Sequence, residues 1–137
     1  MVEMSLSRIL ITETRDSQII VLKEKAGNRS FPIVIGLFEA AAIDRHVKNI
    51  RTPRPLTHDL LLSVIQSMAG VLERVVITEL KDNTFYAKLV IQRDGDTVEV
   101  DSRPSDAIAL AVQKQTPIFV EEAVLEEVCK WDVSEEG

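Results

Sequence analysis

Residues 74–84 read RVVITELKDNT, and this stretch decides the fold because the chain carries a second version of it. Residues 8–18 read RILITETRDSQ, with Arg, Ile, Thr, Glu and Asp at matching places. A further similar pair follows in the same order, IVIGLFEAAAIDRHV at 33–47 and VEVDSRPSDAIALAV at 98–112. Two collinear matches indicate duplication of one supersecondary unit, and two copies are too few for a solenoid.

Each copy, at about residues 5–50 and 71–115, is predicted to contain three strands followed by a helix. Side chains from 85 to 92 alternate as in a half-buried strand, and turn residues at 81–83 and 94–96 flank it. The class that follows is α+β, a mainly antiparallel sheet with packed helices. In the first copy the predicted strands and helix lie at about 5–14, 18–24, 31–36 and 37–50.

A linker helix is predicted at residues 57–69, between the two copies. The preceding TPRP segment, residues 52–55, breaks the chain because residues before proline avoid the helical region. A tail at 117–137 adds a short strand and a last helix, and residues 1–137 are predicted to form a single domain. The linker helix is expected to turn an apolar stripe inward, made of Leu61, Val64, Ile65, Met68 and Leu72.

Composition limits the classes of function. The formal net charge is −6, whereas a protein that binds nucleic acid by broad phosphate neutralisation should be basic. The charge argues less strongly against an enzyme that touches a few phosphates. A single cysteine, Cys129, fits a reducing compartment, and no apolar run approaches membrane-spanning length. We therefore expect a cytoplasmic protein without a membrane partner.

Polar residues gather where helices are predicted to begin, in RPLTHD at residues 54–59 and DSRPSD at residues 101–106. The sequence has no G-x-G-x-x-G, P-loop, H-E-x-x-H, C-x-x-C or G-x-S-x-G motif. His58 is a candidate general acid or base, because histidine titrates near neutral pH. The alternative is a first-turn side chain that bonds nearby backbone. His46, on the polar side of the first helix, is expected to face solvent.

Two arginines and two hydroxyl residues are candidate contacts to a substrate phosphate. Arg54 and Arg103 suit bidentate binding of phosphate, which the start of a helix also favours. Thr57 and Ser105 lie at the same helix starts, where a hydroxyl serves either as a cap or as a substrate contact.

Four acids are candidate ligands for Mg²⁺ or Mn²⁺, which prefer oxygen donors: Glu39, Asp59, Asp101 and Asp106. Asp59 and Asp101 are also candidate catalytic residues beside His58. The alternative role is structural, because an acid at a helix start complements the helix dipole. Asp101 ends a strand, where a buried carboxylate needs a partner such as Arg54 or Arg103. An Arg–Asp lattice therefore fits the pattern as well as a metal site does.

Five motifs, in order along the chain, resemble those of the bifunctional nuclease family of small bacterial and plant proteins. The resemblance runs from about residue 5 to residue 125, and it implies nuclease activity on DNA and RNA, a compact α+β fold and self-association. The motifs are IGLFEA at 35–40, RPLTHDLL at 54–61, DNTFYA at 82–87, DSRPSDA at 101–107 and PIFV at 117–120.

Two hypotheses follow. In the first, the protein is a phosphodiesterase in which the four acids hold one or two divalent cations, His58 moves a proton and the two arginines hold the phosphate. In the second, it is a non-catalytic homo-oligomeric binding or regulatory module. Arg54, Asp101, Arg103 and Asp106 would then form a buried ionic network that holds the two copies in register.

Overall fold

The computed structural model describes residues 1–12 and 14–136, with side chains described as far as residue 129. It confirms the predicted α+β class, because a mostly antiparallel sheet packs with helices. The elements, in chain order, are β1 (Val2–Leu10), β2 (Ser17–Glu24), β3 (Ser30–Gly36), α1 (Leu37–Val47), α2 (Thr57–Ser67), β4 (Gly70–Lys81), β5 (Thr84–Arg93), β6 (Asp96–Ser102), α3 (Pro104–Lys114), β7 (Ile118–Val120) and α4 (Glu122–Glu136).

The strands form one sheet in the order β3-β2-β1-β7-β4-β5-β6. Neighbouring strands are antiparallel except β4 and β7, which run parallel, with Val75 opposite Ile118. The short β7 therefore joins two three-stranded meanders, and it also pairs with the first residues of β1, where Val2 lies opposite Val120. That pairing explains why β1 begins earlier than the sequence predicts.

Two tight turns fix the register of the second meander. Asp82 and Asn83 both have positive φ values, 52° and 60°, between β4 and β5. Asp94 and Gly95 repeat the arrangement between β5 and β6, at 51° and 82°. Two central residues with positive φ make type I′ turns, whose twist matches that of the flanking strands. These turns lie where the sequence predicts them.

Helix α3 lies at the centre of the core. Residues 107–111 read AIALA and are all buried, so this helix is enclosed on every side. It packs against α1, α2, β4 and β5. Phe31 of β3 and Phe85 of β5 stack with ring centroids 5.7 Å apart, which links the two meanders within one buried cluster. The start of α3 is therefore held in place from several directions.

The order strand-strand-strand-helix occurs in both halves, as β1-β2-β3-α1 and β4-β5-β6-α3. The duplication inferred from the sequence stays a prediction. Helix α1 is shorter than predicted, because Asn49 adopts a left-handed φ of 55° and the backbone N–H of Ile50 bonds back to the carbonyl of Arg45. Among the described residues, no helix is long and apolar enough to cross a membrane.

The predicted inward stripe of α2 is wrong for three of its residues: Leu61, Val64 and Met68 are exposed, whereas the helix buries His58 and Leu62. Ile65 packs against the core as predicted, and Leu72 is buried but belongs to β4. Apolar side chains occur on two sides of this helix. The side that meets the core is the one that carries Leu62, not the one that carries Leu61. Leu61, Val64 and Met68 therefore form an exposed apolar face of α2.

Candidate functional site

The first residue of the site is His58, in the first turn of α2. It shares the buried side of the helix with Leu62, and only 9% of the residue is exposed. The Nε2 atom of His58 lies 2.9 Å from the Oδ1 atom of Asp106, which belongs to the first turn of α3. Two residues 48 positions apart in the sequence, on different helices, thus place an imidazole against a carboxylate.

Asp106 is also bonded to Arg103. The Nε atom of Arg103 donates to Oδ2 at 2.8 Å, and its Nη2 atom donates to Oδ1 at 3.2 Å. Partial burial by itself raises the pKa of the Asp106 carboxyl, but the hydrogen bonds from Arg103 and His58 outweigh it. The pKa of Asp106 therefore lies below its ordinary value, and the group is an anion at neutral pH.

Arg103 bridges two acids from its position as the N-cap residue of α3. Its hydrogen bonds to Asp106, with a weaker contribution from Glu39, raise the pKa of the guanidinium above its ordinary value. The contact to Glu39 joins Nη2 to Oε1 at 3.7 Å. The Arg103 side chain is nevertheless 64% exposed. Its guanidinium is thus oriented by two carboxylates and still open to solvent.

These groups line an open cleft of about 630 Å³, the His58 cleft, at which three helices begin. Glu39 is in the first turn of α1, Thr57 is the first residue of α2, and Arg103 caps α3. The first amides of a helix lack internal partners and carry partial positive charge, so such positions attract anions. Phe38, which is 85% exposed, lies at the mouth of the cleft.

The structure therefore brings together five of the predicted site residues: Glu39, Thr57, His58, Arg103 and Asp106. Four others lie outside the cleft lining. Arg54 is exposed in the segment before α2, and its backbone carbonyl accepts a bond from Thr52. Ser105 is buried and lines a different groove, of about 450 Å³. Neither Thr57 nor Ser105 caps its helix, because the N-cap residues are Leu56 and Arg103.

Asp59 and Asp101 are the other two predicted site residues that lie outside the cleft lining. Asp59 faces away from His58, because adjacent helical residues point about 100° apart. Its Oδ2 atom accepts the backbone N–H of Leu56 at 2.9 Å, and its Oδ1 atom accepts Gln113 Nε2 at 2.8 Å. Asp101 is exposed on the edge strand β6, opposite Lys88. The expectation of a buried, arginine-paired Asp101 is wrong, because the side chains of β6 are exposed on both faces of the strand at this point.

The four acids predicted to bind a metal do not form one cluster. Within the described part of the chain, no group of three or more His, Cys, Asp or Glu residues is placed to hold a metal ion. The Arg103 guanidinium contacts both Glu39 and Asp106, and it supplies the positive charge that balances these two carboxylates. As arranged, the residues do not fit a divalent cation, and a metal requirement stays a prediction.

Sequence reasoning missed a second polar pocket beside the His58 cleft. The prediction that His46 faces solvent is wrong: its side chain is only 10% exposed, and it lies 3.7 Å from the Oδ1 atom of Asp59. Burial is the main cause that lowers the pKa of His46. The charge of Asp59 raises this pKa and the charge of Arg45 lowers it, and the net result is a lowered pKa. His46 is therefore neutral at neutral pH. The only sequence signal for it was a second histidine.

The structure is that of a small α+β protein with an open cleft in which a His–Asp pair lies beside an oriented, solvent-exposed arginine. The chain belongs to the bifunctional nuclease domain family, whose model matches residues 20–131. This confirms the resemblance read from the five motifs.

Several relatives support the assignment. An uncharacterized protein of Mycobacterium tuberculosis is 41% identical over 117 residues, which cover 85% of this chain and 70% of the relative. Bifunctional nuclease 1 of Oryza sativa subsp. japonica is 30% identical over 105 residues, or 74% of this chain and 32% of that protein. Bifunctional nuclease 2 of Arabidopsis thaliana is 26% identical over 107 residues. The chain thus spans about a third of the plant proteins that carry the nuclease name.

Proposed function

We propose that the protein is a nuclease that hydrolyses phosphodiester bonds of DNA and RNA in the His58 cleft. Its family and the names of its plant relatives support a nucleic acid substrate. The single observation that carries the proposal is the chain of contacts His58–Asp106–Arg103–Glu39 at the convergence of three helix starts. That arrangement offers a proton acceptor and positive charge at one place on an acidic protein.

The proton acceptor is the Nδ1 atom of His58. An ionised carboxylate only accepts hydrogen bonds, so the Nε2 atom that faces Asp106 carries the hydrogen. In the neutral ring, Nδ1 is then the basic nitrogen. Asp106 fixes this tautomer and stabilises the imidazolium that forms when Nδ1 takes a proton, as the aspartate of a Ser-His-Asp triad does.

The nucleophile is water, because DNA lacks the 2′-hydroxyl that RNA offers. Nδ1 of His58 removes a proton from water as its oxygen bonds to phosphorus. The bond between phosphorus and the leaving oxygen, on the side opposite the attacking water, then breaks. The leaving oxygen takes a proton from solvent water, and the imidazolium releases its proton to solvent. Arg103 binds the phosphate: its Nε and Nη2 atoms are turned to the acids, which leaves the Nη1 hydrogens for a phosphate oxygen.

The second candidate function, a non-catalytic homo-oligomeric module, has two observations in its favour. The polar groups of the cleft are paired with one another, and α2 presents exposed apolar residues that a second copy would cover. In that account the Arg–Asp contacts are structural. A homo-oligomer and a cytoplasmic location are compatible with either function and stay predictions.

Arg103→Ala separates the two functions. Because Arg103 is mostly exposed, its removal should cost less than about 1 kcal/mol of unfolding free energy. The nuclease account predicts a folded protein whose cleavage of labelled single-stranded DNA and RNA falls by about 10²-fold. The structural account predicts marked loss of stability. Parallel reactions in EDTA test the metal requirement. Full activity in EDTA would show that cleavage needs no divalent cation.

A further inference from the structure

A second pocket of about 630 Å³ lies beside the His58 cleft, and its floor holds polar atoms that lack partners. The Nε2 atom of His46 and the Oε1 atom of Gln113 are both buried without a hydrogen-bond partner in the described part of the chain. The Oδ1 atom of Asp59 lies 3.7 Å from His46 Nε2, which is too far for a hydrogen bond. A buried polar atom without a partner is costly, so these two point to a missing ligand.

The orientation of the Gln113 amide is fixed by chemistry. Its nitrogen donates to the Asp59 carboxylate at 2.8 Å, and a carboxylate accepts only. The oxygen must therefore point elsewhere, as an unused acceptor. Asp59 is itself held by the backbone N–H of Leu56. The floor thus presents one fixed acceptor and one neutral imidazole nitrogen, which either donates or accepts.

The rest of the lining is mixed. Ile50, Pro53, Pro55 and Leu62 are apolar, Asn49, Thr52, Ser63 and Gln66 are polar, and Arg45 and Arg51 supply positive charge. A flat ligand with an apolar face and polar atoms along one edge suits such a lining beside the two unpartnered atoms. Nucleobases have this shape, and their edges carry hydrogen-bond donors beside acceptors.

The position of the pocket relative to the cleft matters as much as its lining. Arg45 and Pro55 line both the pocket and the cleft. Of two adjacent residues, His58 lines the cleft and Asp59 lines the pocket. A polymer whose phosphodiester lies in the cleft would therefore bring an adjoining nucleotide to the pocket.

We propose that this pocket, formed around His46 and Gln113, binds a nucleobase of the strand whose phosphodiester occupies the His58 cleft, an inference that rests on the proposed nuclease function. An N–H on the edge of the base donates to Gln113 Oε1, and an adjacent polar atom of the base bonds to His46 Nε2. Asp59 is a positioning residue that orients the Gln113 amide. The base, rather than the phosphate, is what this site recognises.

The test compares two probes that carry the same phosphates. One is a short fluorescein-labelled single-stranded DNA, and the other is the same length of fully abasic sugar–phosphate strand. Equilibrium binding by fluorescence anisotropy should show the wild-type protein binding the base-containing strand roughly 10-fold more tightly than the abasic one. Gln113→Leu should remove this preference without weakening binding of the abasic strand. Gln92→Leu, a matched change on β5 outside the pocket, should keep it.

A second variant keeps the test decisive if Gln113→Leu does not fold. Ser63 is exposed on α2 and lines the pocket, so Ser63→Trp should fill the space without touching the buried network. It too should abolish the preference for bases. The proposal is overturned if the wild-type protein binds both strands equally, if it binds neither, or if correctly folded Gln113→Leu and Ser63→Trp keep the full preference.

Cleavage is measured on the same DNA strand, so that two kinds of failure are told apart. Base-dependent binding without cleavage by the wild-type protein would uphold the pocket and reject the nuclease function. Cleavage without base-dependent binding would uphold the nuclease function and reject the pocket.

Discussion

The Asp106→Asn substitution tests the central contact of the cleft through stability. Asparagine keeps the size of the side chain and still accepts a hydrogen bond from His58, but it carries no charge. Hydrogen bonds to a charged group contribute about 1 kcal/mol more than neutral ones, and the exposed pair with Arg103 adds about 0.3–0.5 kcal/mol. The variant should therefore lose about 1.5 kcal/mol of unfolding free energy at neutral pH, or about 6 °C in Tm for a domain of this size.

The pH dependence of that loss provides the sharper assay. The folded-state pKa of Asp106 lies below its ordinary value of 3.8, so the carboxylate contributes its full stabilisation above that value. The contribution disappears as the pH falls through the lowered folded-state pKa. Thermal unfolding of the two proteins from neutral to acidic pH should thus show a gap in Tm that closes below about pH 4. Equal stability at neutral pH, or a gap that persists in acid, would refute the reasoning.

Three further predictions concern other parts of the molecule. Arg103→Lys keeps the charge but loses the planar fork that contacts Asp106, so cleavage should fall by about 10-fold or more while Tm changes little; unchanged cleavage would argue against a bidentate role. Gly95→Ala meets no steric obstacle, yet the positive φ of 82° should cost about 1 kcal/mol in urea unfolding, and a neutral result would contradict the turn geometry. If α2 forms a homo-oligomer interface, Leu61→Glu with Val64→Glu should yield a folded monomer in light scattering, and an unchanged mass would exclude that face.

The sequence predicts the sheet and its turns well because their signals are local. Alternation along β5, and the turns at Asp82-Asn83 and Asp94-Gly95, depend on residues within a few positions of one another. The direction in which α2 faces could not be predicted in the same way. Its apolar residues lie on two sides, and the packing of α2 against β4 and α3 decides that the side with His58 and Leu62 is buried.

The candidate site was predicted only in part, for a similar reason. Residue type and position at helix starts pointed to His58, Arg103 and Asp106, but their contacts depend on how α2 packs against α3. Asp59 is adjacent to His58 in sequence and lies in a different pocket, because the helix turns its side chain away. A linear pattern cannot separate such neighbours, nor can it indicate that His46 is buried.

The central claim is that His58, held by Asp106, moves the proton in phosphodiester hydrolysis. Its most direct test is the single-turnover cleavage rate of one labelled oligonucleotide by the wild-type protein and by His58→Ala, with saturating protein and with binding measured in parallel. The account predicts that His58→Ala binds the strand with similar affinity and cleaves it at least about 10²-fold more slowly. Cleavage by His58→Ala at the wild-type rate would contradict it.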